Sequence, residues 1–240
     1  MEYETNAFGQ QVGLPVPGWK PARLPANERL EGRLCLVERL DARRHAADLH
    51  AANTQDDGRM WTYLGYGPFA SLPDYQAWAR ESAASGDPQY YAIVDKARGK
   101  AAGVASYLRI DAAIGAIEVG HLAYSPALQR SPVATEAMFL MMEHAFALGY
   151  RRYEWKCNAL NAPSRAAAQR LGFSFEGVFR QARIDKDRNR DTAWYAIIDQ
   201  DWPALQAAYR QWLSPANFDG EGRQRTRLSD ATAPILKQRG

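Results

Sequence analysis

The chain has 240 residues, with 30 Lys+Arg against 27 Asp+Glu and a formal net charge of +3. That balance excludes a histone-like or polybasic protein, and no aromatic–basic RNA motif is visible, so no nucleic-acid partner is expected. With 46% hydrophobic and 24% charged residues the chain reads as one globular domain with extensions.

No apolar run reaches the ~18 residues of a membrane span. The opening MEYETNAFGQ lacks the apolar stretch of a secretory signal. The expectation is a cytoplasmic protein with no membrane partner. Cys35 and Cys157 each lie in a strand-like apolar run and read as buried reduced thiols. With four scattered His they offer no ligand cluster, so no metal is expected.

Residues 1–32 contain Pro15, Pro17, Pro21 and Pro25 and predict an extended arm, with Leu14 and Trp19 available to pin it. The body spans 33–213. Residues 214–240 are polar and predict a loose tail.

Within the body, 33–39 reads as a strand. Asp41 caps a helix that runs to about Asn53. A loop rich in aromatics, WTYLGYGPFAS (61–71), precedes a helix over 73–84 with Pro73 at its start. Strands follow at 90–95, 101–110 and 114–124. Ala134, Met138, Met141, Ala145 and Leu148 mark one buried face of a helix from Pro132, and Gly149 stops it. Then come a strand over 152–157, a short helix over 162–170, strands over 175–184 and 192–199 around the turn KDRNRD (186–191), and a helix over 203–213. The order predicts an α/β (α+β) single domain: a mixed central sheet of about seven strands with helices on both faces.

Three places carry chemistry. Glu118 sits mid-strand between Ile117 and Val119, either half exposed or buried with a partner; a desolvated carboxylate near a cleft is a candidate general base. The loop before Pro132 opens a helix N-terminus, which binds anions or is simply capped by Ser131. Asn161 and Ser164 stand at the start of the next helix, where capping and ligand contact are both open.

Four stretches in order, IEVGHLAYSPALQ, QRSPVATEA, NAPSRAAAQRLGFSFEGVFR and DTAWYAIIDQDWP, resemble the GNAT superfamily of acetyl-CoA-dependent N-acetyltransferases, in particular its RimJ/RimL-like branch. The resemblance covers roughly 33–205. It implies that the strands at 116–124 and 152–157 splay apart to admit the pantetheine arm of acetyl-CoA. A backbone N–H near Ala123 or Tyr124 would polarise the thioester carbonyl. Gln129, Arg130, Ser131, Val133, Ala134 and Thr135 would form the pyrophosphate loop, and Asn161 would contact the pantetheine. The family's loop glycine is Pro132 here, so one N–H donor is lost.

By the same resemblance Glu118 would take the proton of a primary amine and Ser164 would return one to the CoA thiolate. The reaction would be direct transfer in a ternary complex, with neither Cys placed as a nucleophile. The acceptor would be a small molecule, an amino acid or a protein N-terminus. Trp61, Tyr63, Tyr66 and Phe69 of the aromatic loop are candidate acceptor contacts, or a packed surface loop. Arg188 and its basic neighbours on the last hairpin are candidates for a substrate carboxylate or phosphate, or a solvated tip. His121 is a catalytic or a packed histidine. Pro132 leaves a non-catalytic acyl-CoA-binding or regulatory module as the alternative. The arm and the aromatic loop offer a surface for a homodimer, which nothing in the sequence demonstrates.

Overall fold

The computed structural model describes residues 2–26 and 29–240. The arm opens with a small hairpin of β1 (Glu4–Thr5) and β2 (Gln11–Val12). The body contains β3 (Leu30–Glu31), β4 (Cys35–Arg39), α1 (Ala42–Asn53), α2 (Leu72–Ala84), β5 (Gln89–Asp95), β6 (Lys100–Asp111), β7 (Ala116–Tyr124), α3 (Pro132–Ala147), β8 (Arg152–Asn158), α4 (Ala162–Arg170), β9 (Ser174–Asp185), β10 (Arg188–Ile198) and α5 (Trp202–Leu213). A last short helix, α6, spans Leu228–Thr232.

The main sheet runs β3-β4-β5-β6-β7-β8-β10-β9. It holds eight strands, one more than expected, because the two-residue β3 adds an edge to β4. Every pairing is antiparallel except β7 with β8, which α3 connects. A parallel pair needs such a crossover, and a helix supplies it.

Helices cover both faces, as the pattern predicts. α3, α5 and α6 pack into the larger core through residues such as Met138, Met141, Leu205, Tyr209 and Leu228. On the opposite face α1 and α2 bury Ala46, Leu49, Tyr75 and Ala79 with Trp61. β8 shows the period-two alternation of a half-buried strand: Tyr153, Trp155 and Cys157 are buried, while Arg152, Glu154 and Lys156 alternate with them.

Glu136 of α3 is buried, and its carboxylate accepts from the N–H groups of Arg33 (3.0 Å), Leu34 (2.6 Å) and Cys35 (2.8 Å). This charge fixes the entry of β4 onto the sheet. Gly32 is needed beside it, because a Cβ there would overlap the Glu136 side chain.

Two terminal expectations change. The C-terminal segment is docked rather than loose: Leu228 and Thr232 are fully buried, and Thr232 Oγ1 donates to the Arg170 carbonyl at 3.0 Å. The Phe175 N–H also donates to the Gln238 carbonyl at 3.0 Å. Its polar composition hides these few anchors. In the arm, Trp19 Nε1 donates to the Ala113 carbonyl at 2.8 Å and the ring lies against Arg151. Leu14, by contrast, stays half exposed.

The last hairpin is also tighter than expected. Only Lys186 and Asp187 form its turn, both at positive φ (50° and 59°), the mark of a two-residue type I′ turn. β10 therefore starts at Arg188, and Arg190 sits opposite Arg183 in the ladder.

Candidate active site

The parallel pairing of β7 and β8 runs from Ala116↔Arg152 to Val119↔Trp155 and stops. Beyond it β7 stays with β6 as far as Tyr124, and β8 stays with β10 as far as Asn158. The two strands part, as the resemblance implies. Two bulges sit on the β6–β7 ladder, with Arg109 and His121 each at φ 49°. Bulges re-aim side chains and recur beside active sites.

The gap has directed backbone groups. The Ser125 N–H donates to the Ala102 carbonyl, and N–H groups alternate sides along a strand. This turns the Ala123 N–H toward β6 and the Tyr124 N–H away from it, to the open side. The Tyr124 carbonyl, on that same side, accepts from Gln129 Nε2 at 2.8 Å.

A cleft of about 180 Å³ opens at the parting and is lined by Glu118, Ser164, Asn161 and Tyr63 among the expected residues. Glu118 is buried. Its carboxylate meets Arg109 Nη1 at 2.6 Å and Lys156 Nζ at 3.0 Å. Lys156 is itself 2.7 Å from Glu154 and 3.7 Å above the Trp194 ring. The open question of the sequence, exposed or buried with a partner, is answered by burial with two cations. Lys156 is a site residue that sequence reasoning missed; it reads as ordinary strand composition in RRYEWKC.

Asn161 caps α4 by accepting from the Ser164 N–H at 3.1 Å. Ser164 Oγ in turn accepts from Trp155 Nε1 at 3.1 Å, so the hydroxyl keeps its own proton to donate. Cys157 also lines this cleft, nearer the chemistry than its sequence context suggests. Burial pushes its thiol up, against a hydrogen bond from Ser164, and a protonated thiol is a poor nucleophile.

His121 lines the same cleft. Its Nδ1 lies 2.9 Å from Ser106 Oγ, which donates to the Gly120 carbonyl at 3.2 Å. Burial, followed by the positive charges of Arg109, Arg183 and Arg190, pushes the imidazole down to about 4.

The loop before α3 partly satisfies itself. Ser131 caps the helix by accepting from the Ala134 N–H at 3.1 Å, and the Ser131 N–H donates to Leu128. The Thr135 N–H donates to the Ser131 carbonyl at 3.4 Å. Among the described residues the N–H groups of Arg130 and Val133 carry no hydrogen bond. Arg130 takes a positive φ of 57° at this corner, and its side chain is exposed. These residues do not line the cleft; they follow directly from the open end of β7.

The aromatic loop divides. Tyr63 lines the cleft, and its hydroxyl donates to the Leu160 carbonyl at 3.2 Å. Tyr66 stacks between Trp78 and His121, with its hydroxyl 3.4 Å from the His121 carbonyl. Trp61 and Phe69 lie outside the cleft, packed edge to face on each other, with Phe69 also against Tyr75. Their ring area serves the second core. Arg188 is exposed and outside the cleft, because the tight turn ends before it. Its hairpin neighbours Arg183 and Arg190 line the cleft instead.

No helix among the described residues is long and apolar enough to cross a membrane. The parted strands, the helix N-terminus at their open end and the cleft between them fit a CoA thioester in outline.

None of the curated proteins compared matches the chain. A GCN5-related N-acetyltransferase from Brucella melitensis is 44% identical, with a TM-score of 0.89 over 91% of this chain and 100% of that one. An acetyltransferase of Salmonella typhimurium that modifies the N-terminal serine of a 50S ribosomal subunit protein is 22% identical, with a TM-score of 0.61 over 71% and 99%. The microcin C7 self-immunity acetyltransferase MccE, in complex with acetyl-CoA and AMP, is 22% identical, with a TM-score of 0.62 over 70% and 93%. The latter two likenesses show the fold. The family described as "Acetyltransferase (GNAT) domain" matches residues 33–174, and with the Brucella relative this places the chain in the GNAT acetyltransferase family.

Proposed function

We propose that this chain is an acetyl-CoA-dependent N-acetyltransferase that acts in the cytoplasm on a primary amine. The acceptor is a small molecule, an amino acid or a protein N-terminus, and it attacks directly in a ternary complex. The observation that carries the reading is the parting of β7 and β8 after Val119 and Trp155, with a carboxylate, Glu118, and a hydroxyl, Ser164, in the cleft beside it. The acetyl-CoA held by MccE supports the donor, and the Salmonella enzyme supports a protein N-terminus as one acceptor type.

When bound, acetyl-CoA supplies the acetyl group as a reactive thioester. The Tyr124 N–H, turned to the gap, polarises the thioester carbonyl. The Arg130 and Val133 N–H groups and the Arg130 guanidinium hold the phosphates at the α3 N-terminus, while Ser131 and Pro132 set the helix entry. The donors at Ser131, Ala134 and Thr135 are used within the loop, so their part is to fix its shape.

Glu118 accepts the amine proton, directly or through one water; such a base contributes about 10²–10⁴ in rate. Lys156 and Arg109 hold its carboxylate against the cleft wall. Ser164 donates its proton to the departing sulfur, and Asn161 keeps that hydroxyl in place by capping α4. Tyr63 contacts the acceptor at the cleft mouth. Cys157 stays a thiol and takes no acyl group.

The test is to supply acetyl-CoA and a panel of primary amines and short peptides, and to follow both free CoA thiol and acetylated amine. Transfer to at least one amine, lost in Glu118→Gln, is expected. Acetyl-CoA that binds and is never transferred would replace this reading with an acyl-CoA-binding module.

A further inference from the structure

The β9–β10 hairpin brings two arginines to one carboxylate. Arg190 Nη1 lies 2.7 Å from Asp185 Oδ2, and Arg183 Nε lies 3.4 Å from Asp185 Oδ1. One acid therefore faces two guanidiniums. Arg190 is mostly buried and also places its Nε on Thr192 Oγ1 at 3.2 Å; Arg183 is about half exposed, at 52%. A third guanidinium, Arg109, enters from the β6 bulge and meets Glu118 through Nη1. All three line the cleft that holds Glu118 and Ser164.

The three charges act on one place. His121, in the same cleft, is pushed down by burial and then by Arg109, Arg183 and Arg190, with the Asp87 carboxylate opposing more weakly. The convergence follows from backbone geometry. The two-residue turn puts Arg183 and Arg190 in register, and the bulges at Arg109 and Gln181, both at positive φ, bend their strands beside the cleft. Fixed positive charge left in excess in a confined space is a receptor for an anion, and guanidiniums pair carboxylate and phosphate in a planar, two-pronged way.

We propose that Arg183, Arg190 and Arg109 form an anion subsite, and that the acceptor is a small amine carrying a carboxylate or a phosphate in the same molecule. This rests on the acetyl-transfer reading above. The anion anchors beside Arg183 and Arg190, and the amine then reaches toward Glu118. Arg188, at the exposed tip, takes no part. A neutral analogue leaves the guanidiniums unmatched, and the loss of a charge-assisted contact lowers kcat/KM by about 10- to 100-fold.

The experiment has two arms on the full chain. In the first, without acetyl-CoA, phenyl phosphate and benzoate are titrated while the His121 ring resonance is followed by NMR; phenol and benzamide are the neutral counterparts. Saturable shifts with one or both anions and none with the neutral pair are expected, with His121 titrating at higher pH once the anion is bound. Arg183→Gln, at a half-exposed position, should keep the fold, with an unchanged circular dichroism spectrum as the control, and should weaken that binding by about tenfold. Which probe binds tells carboxylate from phosphate.

In the second arm acetyl transfer is compared between matched amines, O-phosphoethanolamine with ethanolamine and glycine with glycinamide. The anionic member of at least one pair should lead, and its lead should shrink in Arg183→Gln. No saturable anion effect, or the same affinity in Arg183→Gln, overturns the subsite even where neutral amines are acetylated. Turnover that favours the neutral members overturns the acceptor class. Arg183-dependent anion binding with no transfer to any amine counts against the acetyl-transfer reading and leaves the subsite standing.

Discussion

The ammonium of Lys156 lies 3.0 Å from the Glu118 carboxylate, just beyond the point where β7 and β8 part. Both side chains are buried, and Glu154 and Arg109 complete the cluster. Burial of such charges is tolerated because each is paired. The pairing holds the proposed base in one orientation before an acceptor arrives, which is the geometric part of catalysis.

Glu118→Gln keeps the shape of this side chain and removes its ability to take a proton. It should lower kcat by about 100-fold or more, and leave acetyl-CoA affinity within about twofold. Steady-state kinetics with a parallel binding titration checks it. Unchanged turnover would remove Glu118 as the base.

Ser164→Ala removes the proposed proton donor to the leaving sulfur and the acceptor of the Trp155 indole N–H. It should lower kcat by about tenfold or more. The stranded indole should cost about 1 kcal/mol of stability. Separate kinetic and denaturation measurements divide the two effects.

His121 gives a pH signature. Its folded value of about 4 lies below the ordinary 6.5. The unfolded chain therefore binds the proton more readily between these values. The contribution of the neutral ring to stability is present above about 6.5 and is lost as pH falls toward 4. Between pH 7 and about 4.5 the chain should lose about 2 kcal/mol more than His121→Gln does. Urea unfolding of both proteins at the two pH values measures this. Parallel losses would contradict a desolvated His121.

The docked C-terminal segment makes a stability prediction. Leu228 is fully buried in the larger core, and Leu228→Ala should cost about 2–5 kcal/mol in denaturant unfolding. A change within about 0.5 kcal/mol would mean the tail is loose after all.

Much of this architecture is legible in the residues. Helix starts at Asp41, Ser131 and Asn161 follow from capping chemistry, which is local. The spacing of Met138, Met141 and Ala145 marks one face of α3, but Thr135, Glu136, Phe139 and Met142 are buried as well, so the helix is covered on more sides than that face alone. Glu118, Ser164 and Asn161 meet in one cleft because the order of elements, strand–helix–strand and then helix, brings those segments together. Other features depend on contacts distant in sequence. Lys156 becomes a site residue only through Glu118 on the neighbouring strand. Arg183 and Arg190 enter the cleft through a turn of two residues rather than six, and its Lys-Asp pair lacks the Asn-Gly or Asp-Gly signature by which such a turn is read in sequence. Trp61 and Phe69 resemble ligand-binding aromatics in composition, but α2 supplies Tyr75 and Trp78 to pack against Phe69, which in turn packs on Trp61. The tail's docking rests on a few buried side chains, Leu228 and Thr232 among them, and on backbone bonds such as that to the Gln238 carbonyl, none of which changes its composition.

The central claim is that the gap between β7 and β8, with the α3 N-terminus at its open end, holds acetyl-CoA although Pro132 provides no N–H. The direct measurement is the thermal unfolding of the chain with acetyl-CoA, with CoA, and with a nucleotide lacking the pantetheine arm. Acetyl-CoA and CoA at about 100 times their dissociation constants should stabilise the fold by about 2.7 kcal/mol, and the nucleotide should do so much less. No shift at millimolar acetyl-CoA would mean that the loop with Pro132 does not hold the cofactor, and would contradict the account.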